Sequence, residues 1–245
     1  MDDDHGVQTA TRPAEPPTGA SGRSAGDEPG RPGRPRRPTW VQALVLSAAV
    51  AFVGFAVGLV VARDRPPGPS SVDVGYTQDM IHHHDQAVQM AMLALDDVES
   101  PVVRSFVREV LVFQSYELGL MDQQLADWGT SRQQRSDQAM EWMGMPVPLE
   151  DMPGLLSEQE MDAIAAAEGA ELDALFLDLM AEHHRGGLHM AEYAAREADD
   201  EDVRALATRI VRNQAGEINE YRSVAEDEGL DVEIERAVVP PDLAP

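Results

Sequence analysis

Histidine and methionine side chains recur in two similar stretches of this sequence, one hundred residues apart. The first stretch runs from Met80 to Ala91 (MIHHHDQAVQMA) and the second from Met180 to Ala191 (MAEHHRGGLHMA). Six of the seven histidines of the chain lie within these two stretches. Imidazole and thioether groups are ligands for soft and borderline metal ions, so the residue types point to metal chemistry.

The similarity continues downstream at the same offset. Gln114 and Glu117 in the first copy are matched by Gln214 and Glu217 in the second. A polar pattern that is kept at one offset over several turns of sequence indicates an internal duplication. We therefore expect two similar helical units, each with a His-His pair and a later Gln-x-x-Glu.

The spacing within each copy selects the strongest candidate ligands. Residues three and four positions apart share one face of a helix, so Met80 can reach the same ion as His83 and His84. With the second copy, the main candidate metal ligands are Met80, His83, His84, Met180, His183 and His184. Weaker candidates are His82, Met90, Glu117, Met140, Met143, Met145, His189, Met190 and Glu217.

The same residues have a structural interpretation. Alternating steps of four and three place the histidines, glutamines and glutamates on the inward faces of the predicted helices. A buried carboxylate needs a partner, and a His-Gln-Glu hydrogen-bond network would provide one as well as a metal would. Met90 and Met190 lie seven residues beyond His83 and His183, about 10 Å along a helix, which favours core packing. The Met-rich segment 140–152 is either a hydrophobic flap or a further source of ligands.

Composition narrows the function further. The chain has no cysteine, which excludes disulfides and thiolate metal sites. Residues 66–245 carry 11 arginines against 37 acidic residues, so this region lacks the basic surface that nucleic-acid binding requires. Among metals, mixed thioether and imidazole ligands favour copper, and Cu(I) above all.

The N-terminal part has three predicted segments. Residues 1–38 are rich in Pro, Gly and Arg and are predicted to be a disordered cytoplasmic tail. Residues 39–62 contain no charge and are predicted to be a transmembrane signal-anchor helix, followed by a linker over 63–72. Arginines cluster before the span, which predicts a cytoplasmic N-terminus and an extracytoplasmic C-terminal domain. A cleaved signal peptide is the alternative.

The remaining chain is predicted to be all-α. Residues 73–229 form a duplicated helical-bundle domain, with a first half over 73–128, a Met-rich connection over 129–156 and a second half over 157–229. The third helical region is expected to bend at Gly169 or at Gly186-Gly187. Residues 230–245 are predicted to be an extended or loose C-terminal tail.

In this order, the motifs resemble the bacterial domain-of-unknown-function family three hundred and five, which includes CopM-like copper-binding proteins. The resemblance covers about residues 73–229. It implies a ferritin-like four-helix bundle made of two helical hairpins, here preceded by one transmembrane helix, and it implies extracytoplasmic copper binding. Ala181, Gly187 and Tyr221 depart from the family pattern.

Three functions are therefore considered. The first is copper binding for homeostasis or resistance, with metal ions and the membrane as partners and no indication of a protein partner. The second is a metal-free cell-envelope scaffold or interaction domain. The third is a di-iron-type metalloenzyme, which needs Glu-x-x-His motifs. The nearest approach to that motif is Asp79-x-x-His82, and the sequence shows no catalytic constellation, so we do not expect an enzyme.

Overall fold

A computed structural model describes residues 39–63 and 66–245 and confirms the all-α fold. The predicted disordered tail lies outside the described residues, as do Asp64 and Arg65 of the predicted linker. The helices are α1 (Trp40–Arg63), α2 (Val72–Ala94), α3 (Pro101–Asp127), α4 (Glu158–Ala166), α5 (Gly169–Glu197) and α6 (Glu201–Glu228). Two short strands, β1 (Gln138–Ala139) and β2 (Val147–Pro148), pair antiparallel between α3 and α4.

Helix α1 is long and apolar enough to cross a membrane. Its stretch Trp40–Leu59 has a mean hydropathy of 2.1, and about 20 apolar residues are needed to span the hydrocarbon core. The chain divides into two compact units between Leu59 and Val60, and the second unit contains the helices that follow α1.

Four long helices form two hairpins, α2–α3 and α5–α6, which meet mainly through α2 and α5. Their starts follow from the sequence. Ser100 caps α3 and is followed by Pro101, Asp200 caps α6, and Ser157 forms a capping box with Glu160 at α4.

Asp73 and Asp173, one hundred residues apart, each cap the other hairpin. The Oδ1 atom of Asp73 accepts a 2.8 Å hydrogen bond from the backbone N–H of Asp200, at the start of α6. Asp173 accepts from the backbone N–H groups of Glu99 and Ser100, at 3.0 and 2.8 Å, at the start of α3. Each half therefore satisfies the helix start of the other half.

The core consists of two apolar clusters, one toward each end of the bundle. The first cluster contains Tyr76 and the methionines Met80, Met121, Met140, Met143, Met152 and Met190. The second cluster contains Phe106, Phe176, Tyr221, Met90 and Met180. The first cluster contains residues from the start of α2 and the end of α5. The second cluster contains residues from the end of α2 and the start of α5. Helices α2 and α5 therefore run antiparallel.

The third helical region is interrupted at Ala167 and Glu168, next to the predicted position Gly169. Gly169 has a φ of +61° and begins α5. The alternative position, Gly186-Gly187, does not interrupt the helix, because α5 is continuous through both residues. These glycines instead allow neighbouring segments to approach the helix closely.

The connection folds onto α2 as a hydrophobic flap. Asp79 accepts hydrogen bonds from the Met140 backbone N–H at 2.7 Å and from the Trp142 indole N–H at 2.8 Å. The Trp142 ring packs edge-on against Tyr76 and Tyr193, with centroid distances of 5.7 and 5.6 Å.

Residues 230–245 form neither helix nor strand, but this C-terminal tail packs on the bundle and is not loose. Ile234, Ala237 and Leu243 are buried. Asn219 of α6 exchanges hydrogen bonds of 3.0 and 3.1 Å with the backbone of Ala237. Regularly placed apolar residues therefore fix the tail against the second hairpin.

Candidate functional site

A polar layer lies between the two apolar clusters at the middle of the bundle. We define it by the residues that the duplication repeats: His83, His84, Gln114, Glu117, His183, His184, Gln214 and Glu217. The four histidines have no solvent exposure. The layer therefore concentrates titratable groups in the driest part of the domain.

His83 and His183 face each other across the contact between α2 and α5. Their ring centroids are 3.8 Å apart, and the ring planes are inclined by 42°. By distance and angle, neither ring nitrogen of either residue has a hydrogen-bond partner among the described residues, although the backbone of Pro153 lies close enough to His83, and that of His83 close enough to His183, to act on the pKa values of the two rings. Burying polar atoms without partners costs about 1–3 kcal/mol each, so native proteins rarely do so without a compensating role.

Both of these imidazoles are held neutral. Burial lowers the pKa of His83 well below its usual value, and the neighbouring imidazoles of His84 and His184 lower it further. Burial likewise lowers the pKa of His183, with contributions from His83 and His184. A neutral imidazole keeps a free lone pair on one nitrogen, which is the form that binds metal ions.

The other two histidines are each oriented by a glutamate. The Nε2 atom of His84 lies 2.9 Å from Glu117 Oε2, and the Nε2 atom of His184 lies 2.6 Å from Glu217 Oε2. Burial alone would raise the pKa of Glu217, but the hydrogen bond from His184 and the charges of His184 and His84 outweigh it and lower the pKa. In the neutral tautomer whose Nε2 donates to the carboxylate, Nδ1 carries the lone pair, and among the described residues both Nδ1 atoms lack a hydrogen-bond partner.

The glutamines leave further polar atoms unpartnered. In the described part of the chain, ten buried side-chain nitrogen and oxygen atoms lack a hydrogen-bond partner. Nine of these belong to the polar layer, and the tenth is the hydroxyl of Tyr76. The hydrogen-bond network that the sequence predicted as an alternative to a metal site therefore provides partners for only some of the layer's polar atoms.

Glycines let the connection close over the histidines. A Cβ atom on Gly154, which has a φ of +85°, would lie 3.0 Å from His83 Nε2 and 2.6 Å from the carbonyl oxygen of His183. A Cβ atom on Gly186 would overlap the carbonyl group of Pro153. The Pro153-Gly154 segment thus lies directly against the facing imidazoles.

The thioethers are distributed differently from the sequence prediction of one Met-His-His set in each copy. Met80 shares the first apolar cluster with Met190, and Met180 shares the second with Met90. Because α2 and α5 are antiparallel, each cluster combines a methionine that precedes one His-His pair with a methionine that follows the other pair. Each cluster therefore draws its thioethers from both copies.

The weaker candidates lie in several places. Met140 and Met143 are buried in the first cluster, whereas Met145 is 51% exposed. His82 is half-buried outside the layer, where burial and the charge of Arg135 lower its pKa. His189 lines a surface depression next to Pro153 and Gly154.

Carboxylates and imidazoles alone do not form a metal site. Within residues 39–63 and 66–245, no three His, Asp or Glu side chains are arranged to hold one ion. A site at the layer would therefore use imidazole together with thioether or with few ligands in total.

Sequence reasoning missed Arg209, whose Nε atom lies 3.7 Å from Glu117 Oε1. The signal was available, because the position one hundred residues earlier holds the opposite charge, Glu109. The duplication repeats the polar layer but reverses the charge next to it.

The domain that carries this layer matches one protein family. The family model described as Domain of unknown function (DUF305) matches residues 73–225. A crystal structure of a candidate secreted DUF305 protein from Streptomyces coelicolor is 30% identical, with a TM-score of 0.63, and covers 69% of this chain and 100% of its own. A DUF305 fragment from Deinococcus radiodurans is 27% identical, with a TM-score of 0.56, and covers 66% and 99%.

A further solved structure, CopM in its Cu(I)-bound form, is 24% identical, with a TM-score of 0.48, and covers 64% of this chain and 96% of its own. No protein with a curated function matches the chain.

Proposed function

Because this chain belongs to the DUF305 family, whose solved members share its helical fold, we propose that its polar layer binds copper ions, with Cu(I) preferred. The protein acts in copper homeostasis or resistance and has no catalytic turnover. It is anchored by α1 and holds its bundle outside the cytoplasm.

One observation carries this proposal: the facing imidazoles of His83 and His183 have four unpartnered nitrogens in a fully buried site. A bound cation would use the lone pairs whose burial is otherwise unfavourable. Imidazole binds metals in its neutral form, and burial keeps these two imidazoles neutral.

The surroundings favour Cu(I) over harder ions. Met80 and Met180 each lie one helical turn from a His-His pair, on opposite sides of the layer, and Met190 and Met90 share their clusters. Thioether and imidazole ligands select soft ions. The free-energy cost of burying an ion rises steeply with its charge, so a monovalent ion suits this dry site better than Zn(II) or Fe(II).

The di-iron alternative receives little support from the same geometry. Such centres use four carboxylates and two histidines. The polar layer supplies two glutamates, Glu117 and Glu217, and each of them already holds a histidine.

The proposed location follows from α1 and from the charges that precede it. Arginines at positions 31, 34, 36 and 37 come before the apolar helix, which favours a cytoplasmic N-terminus. An uncleaved anchor predicts that the full-length protein stays in the membrane fraction after alkaline extraction. Release of a chain shortened at its N-terminus would instead indicate a cleaved signal sequence.

The metal-free scaffold is supported by a different observation. His84 and His184 already have carboxylate partners without any metal. In that function the layer would only fix the register of the helices, and its unpartnered atoms would be a tolerated cost.

Metal titration separates these functions. Residues 66–245 form the bundle, and the S. coelicolor structure consists of this domain alone, so we expect this piece to fold. It is purified without a tag and titrated anaerobically with Cu(I) against a chromophoric competitor, beside Cu(II), Zn(II) and Fe(II).

The decisive variant replaces both facing imidazoles, His83→Ala with His183→Ala. We expect Cu(I) affinity to fall more than about a hundredfold, because loss of direct ligands exceeds the roughly 10- to 100-fold cost of losing their supporting partners. The matched control is His82→Ala with His189→Ala, which removes two histidines outside the layer. Circular dichroism verifies that both variants fold. A parent protein that does not compete for copper, or a control that loses as much affinity, would contradict the proposal.

A further inference from the structure

The two carboxylate–histidine pairs of the polar layer have different electrostatic surroundings. We propose, as a refinement of the proposed copper binding, that the cation reaches the facing imidazoles of His83 and His183 preferentially past the His184–Glu217 pair. Arg209 closes the His84–Glu117 pair to cations. The two copies have thus diverged: one admits cations, and in the other an arginine keeps cations away from the glutamate.

Arg209 neutralises the first pair. Glu117 places Oε2 against His84 at 2.9 Å and Oε1 at 3.7 Å from the Arg209 guanidinium. The carboxylate side chain is 10% exposed, whereas the arginine side chain is 45% exposed and covers it from the solvent side.

Arg209 also lies where a cation would approach Glu117. It lines a surface groove between α3 and α6 together with Tyr116 and Leu120. The groove also contains the carboxylates of Asp127 and Asp202, which attract cations, but the guanidinium 3.7 Å from Glu117 Oε1 repels a cation at that carboxylate. Repulsion between like charges is strongest close to a low-dielectric interior.

The second pair has the opposite environment. Among the described residues, the only ion-pair partner of Glu217 is His184, and the Glu217 side chain is 22% exposed. The position equivalent to Arg209 is Glu109. Burial raises the pKa of Tyr221, and the charges of Glu217 and Glu109 raise it further, so both carboxylates act on the surroundings of this pair.

Tyr221, on which both carboxylates act, lies next to His184. Its ring centroid lies 5.8 Å from that of His184. The electric potential of the layer is therefore more negative on the side of Glu217 than on the side of Glu117. A cation that enters the layer is attracted toward the second pair, where Glu217 has no arginine partner among the described residues and its side chain is 22% exposed.

Reciprocal charge variants test this asymmetry. Arg209→Glu gives the first half the charge of the second, and Glu109→Arg gives the second half the charge of the first. We expect Arg209→Glu to tighten Cu(I) binding by roughly threefold to tenfold, and Glu109→Arg to weaken it by a similar factor. Both effects should shrink at high salt, because exposed charges are screened.

Two controls accompany these variants. Arg108→Glu makes the same charge change as Arg209→Glu at an exposed position on α3 and should change affinity less than about twofold. Arg209→Gln provides a milder variant, in case reversal of the charge prevents folding. A further comparison is direct: Glu217→Gln should weaken Cu(I) binding more than Glu117→Gln does.

The outcomes distinguish the two proposals. If the parent protein binds no copper, the proposed function fails and the asymmetry fails with it. If the parent binds Cu(I) but both reciprocal variants match the Arg108→Glu control, or if Glu117→Gln is the more damaging change, only the asymmetry is overturned.

Discussion

At the scale of single residues, the facing imidazoles of His83 and His183 make the domain sensitive to acid. Each has a pKa well below its usual value of 6.5, chiefly because it is buried. Below pH 6.5 these two imidazoles therefore bind protons in the unfolded chain but not in the folded chain. The stability that these residues contribute is complete above pH 6.5 and is lost as the pH falls toward their folded pKa values.

We predict that the free energy of unfolding of the metal-free bundle falls between about pH 6.5 and 5 by up to about 1.4 kcal/mol per pH unit for each imidazole. Glu217 has a lowered pKa, so its contribution is lost only below its usual value of 4.5 and does not obscure this window. Urea unfolding at several pH values measures the slope. The double change of His83→Gln and His183→Gln should remove most of the slope and leave the contribution of His82, whose pKa is also lowered. A flat profile in the parent would contradict the assignment.

Two glycines of the long helices should respond oppositely to alanine. A Cβ atom at Gly186 would overlap Pro153, whereas one at Gly216 would meet no atom within 4 Å. We predict that Gly186→Ala destabilises the domain by about 1–3 kcal/mol through overpacking. Gly216→Ala should stabilise it by about 0.5–1 kcal/mol through helix propensity. Thermal unfolding compares the two; a Gly186→Ala variant as stable as Gly216→Ala would show that the connection does not rest on α5.

At the scale of secondary-structure elements, the reciprocal aspartate caps join the hairpins. Asp173 satisfies two backbone donors of the first half, and Asp73 satisfies one donor of the second. Loss of a partner for a buried backbone donor costs about 1–3 kcal/mol. The caps therefore contribute to the docking of the halves as well as to helix initiation.

We predict that Asp173→Ala lowers the free energy of unfolding by more than Asp73→Ala, because it leaves two donors without a partner instead of one. Both losses should exceed that of Asp231→Ala, an exposed position in the tail. Urea unfolding at about pH 7 gives the three values. Equal effects at all three positions would show that the caps are not energetically significant.

The helices themselves were predictable from local sequence. The four-three spacing, the cap at Ser100-Pro101 and the capping box at Ser157 predicted four helical stretches and their approximate bounds, the third of which is divided into α4 and α5. What the spacing could not show is which cluster each methionine joins. That depends on the antiparallel contact of α2 with α5, which brings Met80 into the same cluster as Met190. Periodicity along one helix contains no information about its partner.

The same limit applies to the polar layer. The sequence identified all eight of its residues through the repeat, but it grouped His83 and His84 as ligands of one ion. In the structure His84 turns to Glu117, and His83 turns to its counterpart in the other half. Adjacent histidines lie about 100° apart around a helix, so they face different neighbours.

At the scale of the whole molecule, the two halves share a backbone plan but differ in chemistry. The first apolar cluster holds six buried methionines, most of them on α2 and the connection, whereas the second holds two and relies on Phe106, Phe176 and Tyr221. The connection that follows the first hairpin and the tail that follows the second both fold back onto the bundle. The two halves therefore have the same helical arrangement, whereas sequence divergence has made the two apolar clusters on either side of the polar layer different.

The crossed aspartate caps also bear on how such a chain could arise. A contact in which residue i of one unit meets residue j of the other, and j meets i, is the signature of a two-fold homodimer. Here that interface lies within a single polypeptide, and the connection replaces a bimolecular encounter with an intramolecular one. Residues 157–245 contain both Asp173 and Asp200. Asp200 is the counterpart of Ser100, so its backbone N–H is one that Asp173 of a second copy could cap. Produced without the first half, this segment should associate into a symmetric dimer. Sedimentation equilibrium of the segment and of its Asp173→Ala variant tests this: a dimer that the variant weakens supports the ancestral assembly, and a monomer in the parent segment contradicts it.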